Sequence, residues 1–311
     1  MSIHVKTSET LVSVGSDQLF VKRYNPQDTP TSKAILFIHG SIEGGRIFYS
    51  LKDTGLGPWL ASKGYQVFIP DFRGRGKSVP KISSKSSHNQ YDAIEEEIPA
   101  IIHHIQSEIE DVELNFVTHS WGGVWLMSHI ARHPELKVNR IVNIAVKRSI
   151  SIKSFKKWFE VDLIWRRIGG LMTTIFGYFP AVEMKIGQEN ESRGVYADCK
   201  HWVYAKEEWK DVTDGFDYIE EFNHRLDVPP TLYITGINEY YLGHQIDVKR
   251  FMKEVNGKQD KFILLSKDNG FAHDYDHINI CTSKSGQRDH FPLILSWLKD
   301  KDCSQWENSH V

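Results

Sequence analysis

The chain has 311 residues, of which 40% are hydrophobic and 25% are charged, and its formal net charge is -2. These values are typical of an ordinary globular protein, and the length allows one large domain with an insertion. The sequence has no extended basic run, which argues against a nucleic-acid partner, and no apolar stretch long enough to span a bilayer.

The cysteines are few and far apart in the sequence, at Cys199, Cys281 and Cys303. An odd number of cysteines without metal-ligand spacing argues against a disulfide framework and against a zinc site, and it fits a reducing compartment. The N-terminus lacks a basic stretch followed by an apolar run, so we see no signal peptide. We therefore expect a cytoplasmic location.

The first elements predict the edge and the centre of a β-sheet. Residues 3–24 alternate polar and apolar side chains around a Gly-Ser-Asp turn, which indicates an antiparallel hairpin at a sheet edge. Residues 34–39 are almost all apolar, as in a strand buried on both faces of a parallel sheet, and this strand leads into His-Gly-Ser at 39–41. A further strand at 65–70 precedes a glycine-rich loop at 71–78, whose spacing matches neither common phosphate-binding loop.

The next stretch predicts a helix, a strand, a sharp turn and a second helix. Residues 91–109 have isoleucines on one face and glutamates near the start, which indicates an amphipathic helix that bends near Pro99. Residues 115–125 read Asn-Phe-Val-Thr-His-Ser-Trp-Gly-Gly-Val-Trp. A β-prone run leads to Ser120, and a helical pattern resumes after the two glycines. Gly122 suits a place where the strand and helix backbones approach closely.

This strand-turn-helix stretch resembles the nucleophile elbow of the α/β-hydrolase family, in which a strained turn presents the serine Oγ above the sheet. Thr118 stands where the family usually has glycine. The loop at 71–78 is similar to the family's D-x-R-G-x-G-x-S loop, which packs near the elbow. The resemblance covers roughly residues 30–146 and 229–300. It implies an α/β-hydrolase fold with a mostly parallel sheet of about eight strands, flanking helices and an inserted helical cap.

The regular alternation of strands and helices stops between the predicted strands at 138–146 and 229–236. By resemblance, residues 1–146 and 229–311 form the α/β-hydrolase core, and residues 147–228 form the inserted cap. The cap is rich in aromatic residues, and its first part is both basic and apolar. It is either an aromatic lid over an apolar pocket or a lid that also contacts a membrane or lipid surface. Basic faces are usually only solvated, which favours the first interpretation.

The resemblance implies a catalytic triad in the chain order nucleophile, acid, base, and Ser120 is the nucleophile. Glu239 follows the glycine of the strand at 229–236 at the place of the family's aspartate, and Asp247 is the alternative carboxylate nearby. The last loop contains two histidines. His277 fits the family's spacing to the later Phe-Pro and Trp-Leu pairs, whereas His273 does not.

The implied oxyanion hole consists of the backbone amides of Ser41 and Trp121. We expect hydrolysis of a carboxylic ester of a lipid or another small apolar acyl substrate through an acyl-Ser120 intermediate, with His277 as the base and with no metal or organic cofactor. A serine nucleophile argues against the dehalogenase and epoxide-hydrolase branches. An acyltransferase, an amide or peptide hydrolase and a non-catalytic ligand-binding protein stay open, as does the oligomeric state. The polar tail after Leu298 is predicted to fray.

Overall fold

Short apolar runs separated by turns give this chain its strands. The computed structural model describes residues 4–27, 31–225, 227–301 and 303. Most of the tail that the sequence predicts to fray, from residue 304 onward, lies outside the described residues. The strands are β1 Val5–Val14, β2 Asp17–Pro26, β3 Lys33–Ile38, β4 Gln66–Asp71, β5 Glu113–His119, β6 Arg140–Ile144, β7 Tyr178–Phe179, β8 Glu191–Ser192, β9 Thr231–Gly236 and β10 Lys261–Leu265.

Eight of these strands form one sheet in the order β1-β2-β4-β3-β5-β6-β9-β10. The β1/β2 and β2/β4 pairs are antiparallel, and the other neighbours are parallel, with Val117 of β5 opposite Val142 of β6. The strands β7 and β8 form a separate small antiparallel sheet. The predicted mostly parallel sheet, with an antiparallel hairpin at its edge, is therefore confirmed.

Helices connect the parallel strands. None of the helices within the described residues combines the length and the apolar composition that crossing a bilayer requires. The α-helices are α1 Leu56–Ala61, α2 Gln90–Asp92, α3 Ile98–Glu108, α4 Trp121–Arg132, α5 Phe155–Lys157, α6 Gly169–Phe176, α7 Arg193–Tyr204, α8 Tyr218–His224, α9 Gln245–Val255, α10 Asn279–Thr282 and α11 Phe291–Leu298. The π-helical segments are Ala93–Glu97 and Trp158–Ile168, and the 3-10 helices are Gly45–Ile47, Lys267–Asn269 and Lys284–Arg288.

The predicted helix at 91–109 is α2, the π-helical segment Ala93–Glu97 and α3 in succession. The departure from α-helical geometry comes directly before Pro99, near the start of α3. Proline has no amide hydrogen and its ring crowds the preceding turn, so the wider π-helical turn accommodates it. Ile101 and Ile105, on the predicted apolar face, are fully buried.

Apolar side chains fill both faces of the sheet. Phe116 and Val117 are neighbours in β5, yet they pack into different core clusters, because successive side chains of a strand point to opposite faces. Both are fully buried. The carboxyl ends of the parallel strands meet at one edge of this sheet, where the loops that follow β3, β5, β6, β9 and β10 come together.

The segment 147–228 lies between β6 and β9 and contains α5, the π-helical segment Trp158–Ile168, α6, α7 and α8. The sequence pattern did not predict its small sheet, β7 and β8. The expectation that the basic first part is solvated is wrong for Lys147 and Arg148, which are buried. Arg148 pairs with Glu254 and donates to backbone carbonyls that follow α7, so it ties this segment to the core.

Candidate active site

The turn between β5 and α4 holds Ser120 in a strained backbone conformation. Its φ is 50° and its ψ is -124°, which is uncommon for a residue other than glycine and costs on the order of 1–3 kcal/mol. Its amide donates to the carbonyl of Ile144 at 2.9 Å. A Cβ on Gly122 would lie 2.4 Å from the carbonyl oxygen of His39, so the close approach of helix and strand requires glycine there.

Thr118 replaces the family's usual glycine at the end of β5 without leaving an unpaired polar group. Its hydroxyl is buried and donates to Oδ1 of Asn143, on the neighbouring strand, at 2.7 Å. A buried hydroxyl that is hydrogen-bonded avoids the cost of desolvation. This pairing explains how threonine fits at a position that favours small residues.

Ser120, His277 and Glu239 form a continuous hydrogen-bonded chain. The Ser120 Oγ lies 3.1 Å from Nε2 of His277, and Nδ1 of the same ring lies 2.8 Å from Oε1 of Glu239. Because an ionised carboxylate only accepts, Nδ1 carries the hydrogen and Nε2 is left to accept the serine hydroxyl proton. Burial lowers the pKa of His277, and the Glu239 carboxylate opposes that shift only in part. The ring is therefore held neutral, with Nε2 free to accept a proton.

The extra methylene of a glutamate fits at this acid position because Gly243 leaves room for it. A Cβ on Gly243 would lie 2.8 Å from Oε1 of Glu239. The alternative carboxylate, Asp247, instead accepts from the amide of Ser151 at 2.9 Å and from its hydroxyl at 2.5 Å. The other histidine of the last loop, His273, is exposed, and its ring contacts that of Tyr275. The structure thus brings His277 and Glu239, and not these alternatives, to the serine.

Ser41 and Trp121 both line the cavity that contains Ser120 and His277. Trp121 is the first residue of α4, so its amide has no acceptor in a preceding helical turn. The amide of Ser41 makes no hydrogen bond to another described residue, whereas its hydroxyl donates to Oε2 of Glu191 at 3.0 Å. Both backbone donors are therefore free to bind a developing negative charge, and the positive end of α4 adds to that potential.

A second buried pair, Glu43 and His119, supports the histidine loop and was not singled out from the sequence. Nδ1 of His119 lies 2.7 Å from Oε1 of Glu43, and Nε2 lies 2.9 Å from the backbone oxygen of His277. Both partners are acceptors, so both ring nitrogens donate and the ring is an imidazolium. Burial works against this charge, but the Glu43 carboxylate raises the pKa of His119 above its usual value. The only indication of this pair in the sequence was that His119 directly precedes Ser120.

The site opens into a cavity of about 650 Å³ between the sheet edge and the segment 147–228. Side chains from the π-helical segment Trp158–Ile168 contribute to its wall. The lining is mainly apolar, although Lys147 also faces the cavity. The apolar lining residues include Ile150, Val161, Ile164, Trp165, Leu242 and Ile278.

One cluster away from this cavity has the composition of a metal site. Ligand atoms of Glu95, His129 and His133 lie within 4.8 Å of one another. Each side chain already has a protein partner, because Glu95 contacts Nε2 of His133 at 3.2 Å and Nδ1 of His129 donates to the carbonyl of Ile94. These contacts account for the cluster, and we assign no metal to it.

Comparisons with known proteins agree with this architecture. The chain matches the alpha/beta hydrolase fold family over residues 33–183. No curated protein matches it. A soluble variant of monoglyceride lipase from Saccharomyces cerevisiae, in complex with a substrate analogue, is 14% identical with a TM-score of 0.68, covering 96% of this chain and 95% of that chain.

Other similar structures have different reported activities. Carboxylesterase CesB from Bacillus subtilis is 17% identical with a TM-score of 0.56, covering 96% of this chain and 93% of that chain. Haloalkane dehalogenase DbeA from Bradyrhizobium elkani is 16% identical with a TM-score of 0.58, covering 95% of this chain and 98% of that chain. At such identities the likeness is one of fold, and it does not select a substrate.

Proposed function

Because this chain is an α/β-hydrolase-fold protein, we propose that it is a serine hydrolase that cleaves carboxylic esters with an apolar acyl group. The observation that carries the proposal is the 3.1 Å contact between the Ser120 Oγ and Nε2 of His277, at the mouth of a largely apolar cavity. The dehalogenase and epoxide-hydrolase branches use a carboxylate nucleophile, and a serine stands at that position here.

The proposed reaction begins when His277 accepts the Ser120 proton as Oγ attacks the acyl carbon. The amides of Ser41 and Trp121 donate to the resulting oxyanion, and each such donor contributes on the order of a hundredfold or more in rate. Glu239 stabilises the imidazolium, which then protonates the departing alkoxide and leaves an acyl-Ser120 ester. His277 next deprotonates a water that attacks this ester, and the carboxylic acid leaves as Oγ regains its proton.

We assign the segment 147–228 to the cap of this enzyme. Its π-helical segment supplies Val161 and Ile164 to the cavity, so an acyl chain bound beside Ser120 would contact this segment. The free, buried thiols of Cys199 and Cys281 fit the reducing compartment that a cytoplasmic location would provide.

We further propose that the cap rests on an anionic lipid surface. Large apolar side chains of the cap project into solvent, among them Phe155, which is 79% exposed, and Leu171, which is 62% exposed. Exposed cations lie beside them at Lys153, Lys156 and Arg167. Apolar side chains flanked by cations suit the boundary between acyl chains and anionic headgroups.

The catalytic proposal is tested by labelling with a fluorophosphonate probe, which reacts only with an activated serine, followed by peptide mapping. We expect wild type to be labelled at Ser120 and both Ser120→Ala and His277→Ala to lose the label. His273→Ala is the matched control, because it removes the other histidine of the same loop, and it should label as wild type does. A folded wild-type protein that does not label would contradict the proposal and favour a ligand-binding role.

A further inference from the structure

Lys147 is a buried cation that lines the active-site cavity. It follows β6, which lies between the strand that leads to Ser120 and the strand that leads to Glu239, so it stands at the same sheet edge as both. Its exposed fraction is only 4%, and it shares the cavity wall with Ser120 and His277. The proposed reaction does not use it.

No anion in the described part of the chain pairs directly with this ammonium group. Lys147 has no ion pair and no hydrogen bond to any described residue, although lysine carries three donors. The neighbouring carboxylates are already engaged with other groups. These pairs are Glu43 with His119, Glu160 with the hydroxyl of Tyr241, Glu239 with His277, and Oδ1 of Asp247 with Ser151, whereas Oδ2 of Asp247 is buried without a hydrogen-bond partner among the described residues.

The Lys147 side chain is largely buried, yet its ammonium keeps some exposed surface at the cavity. An ammonium that gives up most of its water without gaining a protein partner is costly. Burial lowers the pKa of Lys147 below its usual value, and the more distant carboxylates of Glu239 and Asp247 offset only part of that shift. A ligand that carries an anion would supply the missing negative charge and accept hydrogen bonds from the free N–H groups of the ammonium. Lysine recognises carboxylates in this way through charge-assisted hydrogen bonds.

We propose that Lys147 is a substrate-recognition residue that binds a carboxylate on the ester substrate. The natural substrate is then an ester with both an apolar chain, which the cavity wall contacts, and one anionic end, which reaches Lys147. This inference rests on the proposed ester hydrolysis and narrows its substrate class. The carboxylate belongs either to the acyl part or to the alcohol part of the ester, and two pairs of substrates distinguish these sources.

The test compares kcat/KM for two matched pairs of esters, with spontaneous hydrolysis subtracted. The acyl pair is 4-nitrophenyl hydrogen adipate and 4-nitrophenyl hexanoate. The alcohol pair is 4-carboxyphenyl butyrate and 4-carbamoylphenyl butyrate. We expect wild type to prefer the charged member of one pair, and Lys147→Met to lower that preference about tenfold or more, as loss of a charge-assisted hydrogen bond predicts.

Lys52→Met is the matched control, because it removes one positive charge from an exposed loop away from the cavity, and it should keep the wild-type ratio. Wild type without a preference in either pair, or Lys147→Met with an unchanged ratio, would overturn the proposal. If Lys147→Met does not fold, inhibition of wild type by adipate but not by the neutral adipamide supports the subsite, and equal inhibition by both refutes it.

Failure of ester hydrolysis is a separate outcome. If wild type cleaves none of the four esters, the proposed function is wrong, and calorimetric titration of wild type with adipate still tests the subsite. Saturable adipate binding that Lys147→Met abolishes would keep the anion site, whereas no binding to wild type would remove it.

Discussion

The carboxylate of Glu239 contacts Nδ1 of His277 at 2.8 Å, which fixes the tautomer that leaves Nε2 facing the serine. Glutamate at this position is longer by one methylene than the family's aspartate, and Gly243 makes the space for it. In the proposed triad, the negative charge on this side chain matters more than its shape, because the imidazolium formed during the reaction needs a counter-charge.

We expect Glu239→Gln to lower kcat by about 10³- to 10⁴-fold, because the amide keeps the size of the side chain but not the charge that stabilises the imidazolium. The measurement is steady-state hydrolysis of 4-nitrophenyl hexanoate. Asp247→Asn is the control, since it neutralises the other nearby carboxylate, and its kcat should stay within several-fold of wild type. A larger loss of kcat in Asp247→Asn than in Glu239→Gln would show that the acid is wrongly assigned.

By resemblance to the family, motif spacing predicted Ser120, Glu239 and His277 as the triad, and the structure places these three side chains in one hydrogen-bonded chain. The residues that surround these three could not be identified from motif spacing. Lys147 begins a run of basic residues, and only the packing of the segment 147–228 buries it. Glu43, in the loop after β3, pairs with His119 at the end of β5, far away in the sequence. Such pairings depend on tertiary contacts that a single sequence does not display.

At the scale of elements, Arg75 and Glu191 join the glycine-rich loop after β4 to the strand β8 of the segment 147–228. Both side chains are almost completely buried and form an ion pair. The guanidinium also stacks over the ring of Trp125, with its carbon 5.2 Å from the ring centroid. The same Glu191 carboxylate accepts from the hydroxyl of Ser41. This pair therefore connects the proposed cap, the loop and the oxyanion-hole region.

We expect Glu191→Gln to lower the free energy of unfolding by about 3–5 kcal/mol, because it leaves the buried Arg75 charge without a counter-ion. The exposed pair of Lys77 and Glu9 provides the control, and Glu9→Gln should cost only about 0–1 kcal/mol. Urea unfolding monitored by circular dichroism measures both. Similar losses of stability in the two variants would mean that the buried pair has no special structural role.

The strands were largely predictable, because apolar runs bounded by turns mark them, and β4 Gln66–Asp71 lies within one residue of the predicted strand at 65–70. The small sheet of β7 and β8 was not predictable, because its strands are only two residues long and are separated by a loop. The π-helical turn before Pro99 was likewise not predictable, because a proline signals that a helix is disturbed but does not specify the geometry that the helix adopts there.

At the scale of the whole molecule, the π-helical segment Trp158–Ile168 has one side toward the cavity and another toward solvent. Val161 is buried beside the cavity, whereas Trp158 is 51% exposed. If the solvent-facing side rests on lipid, as we propose, the apolar substrate and the active site are held at the same lipid surface. The solvent-facing side must then contribute to membrane affinity independently of the catalytic residues.

We expect wild type to cosediment with vesicles that contain an anionic lipid more strongly than with zwitterionic vesicles, and to dissociate as salt is raised. Phe155→Glu should weaken this binding about tenfold, because it removes a large apolar side chain from the proposed contact. Leu51→Glu changes another highly exposed apolar residue, outside the cap, and should bind as wild type does. Equal weakening by both substitutions, or no binding of wild type, would refute the lipid contact.

The order of the sheet also has a consequence for biosynthesis. Ser120 follows β5, whereas the residues that would activate it follow β9 and β10, which come later in the chain. A ribosome adds residues in sequence, so the loop that carries His277 is made well after Ser120. An unfinished chain therefore holds a serine without its base. The proposed hydrolase would therefore be inactive until this loop has been made, and a product truncated before it would be inert rather than indiscriminately reactive.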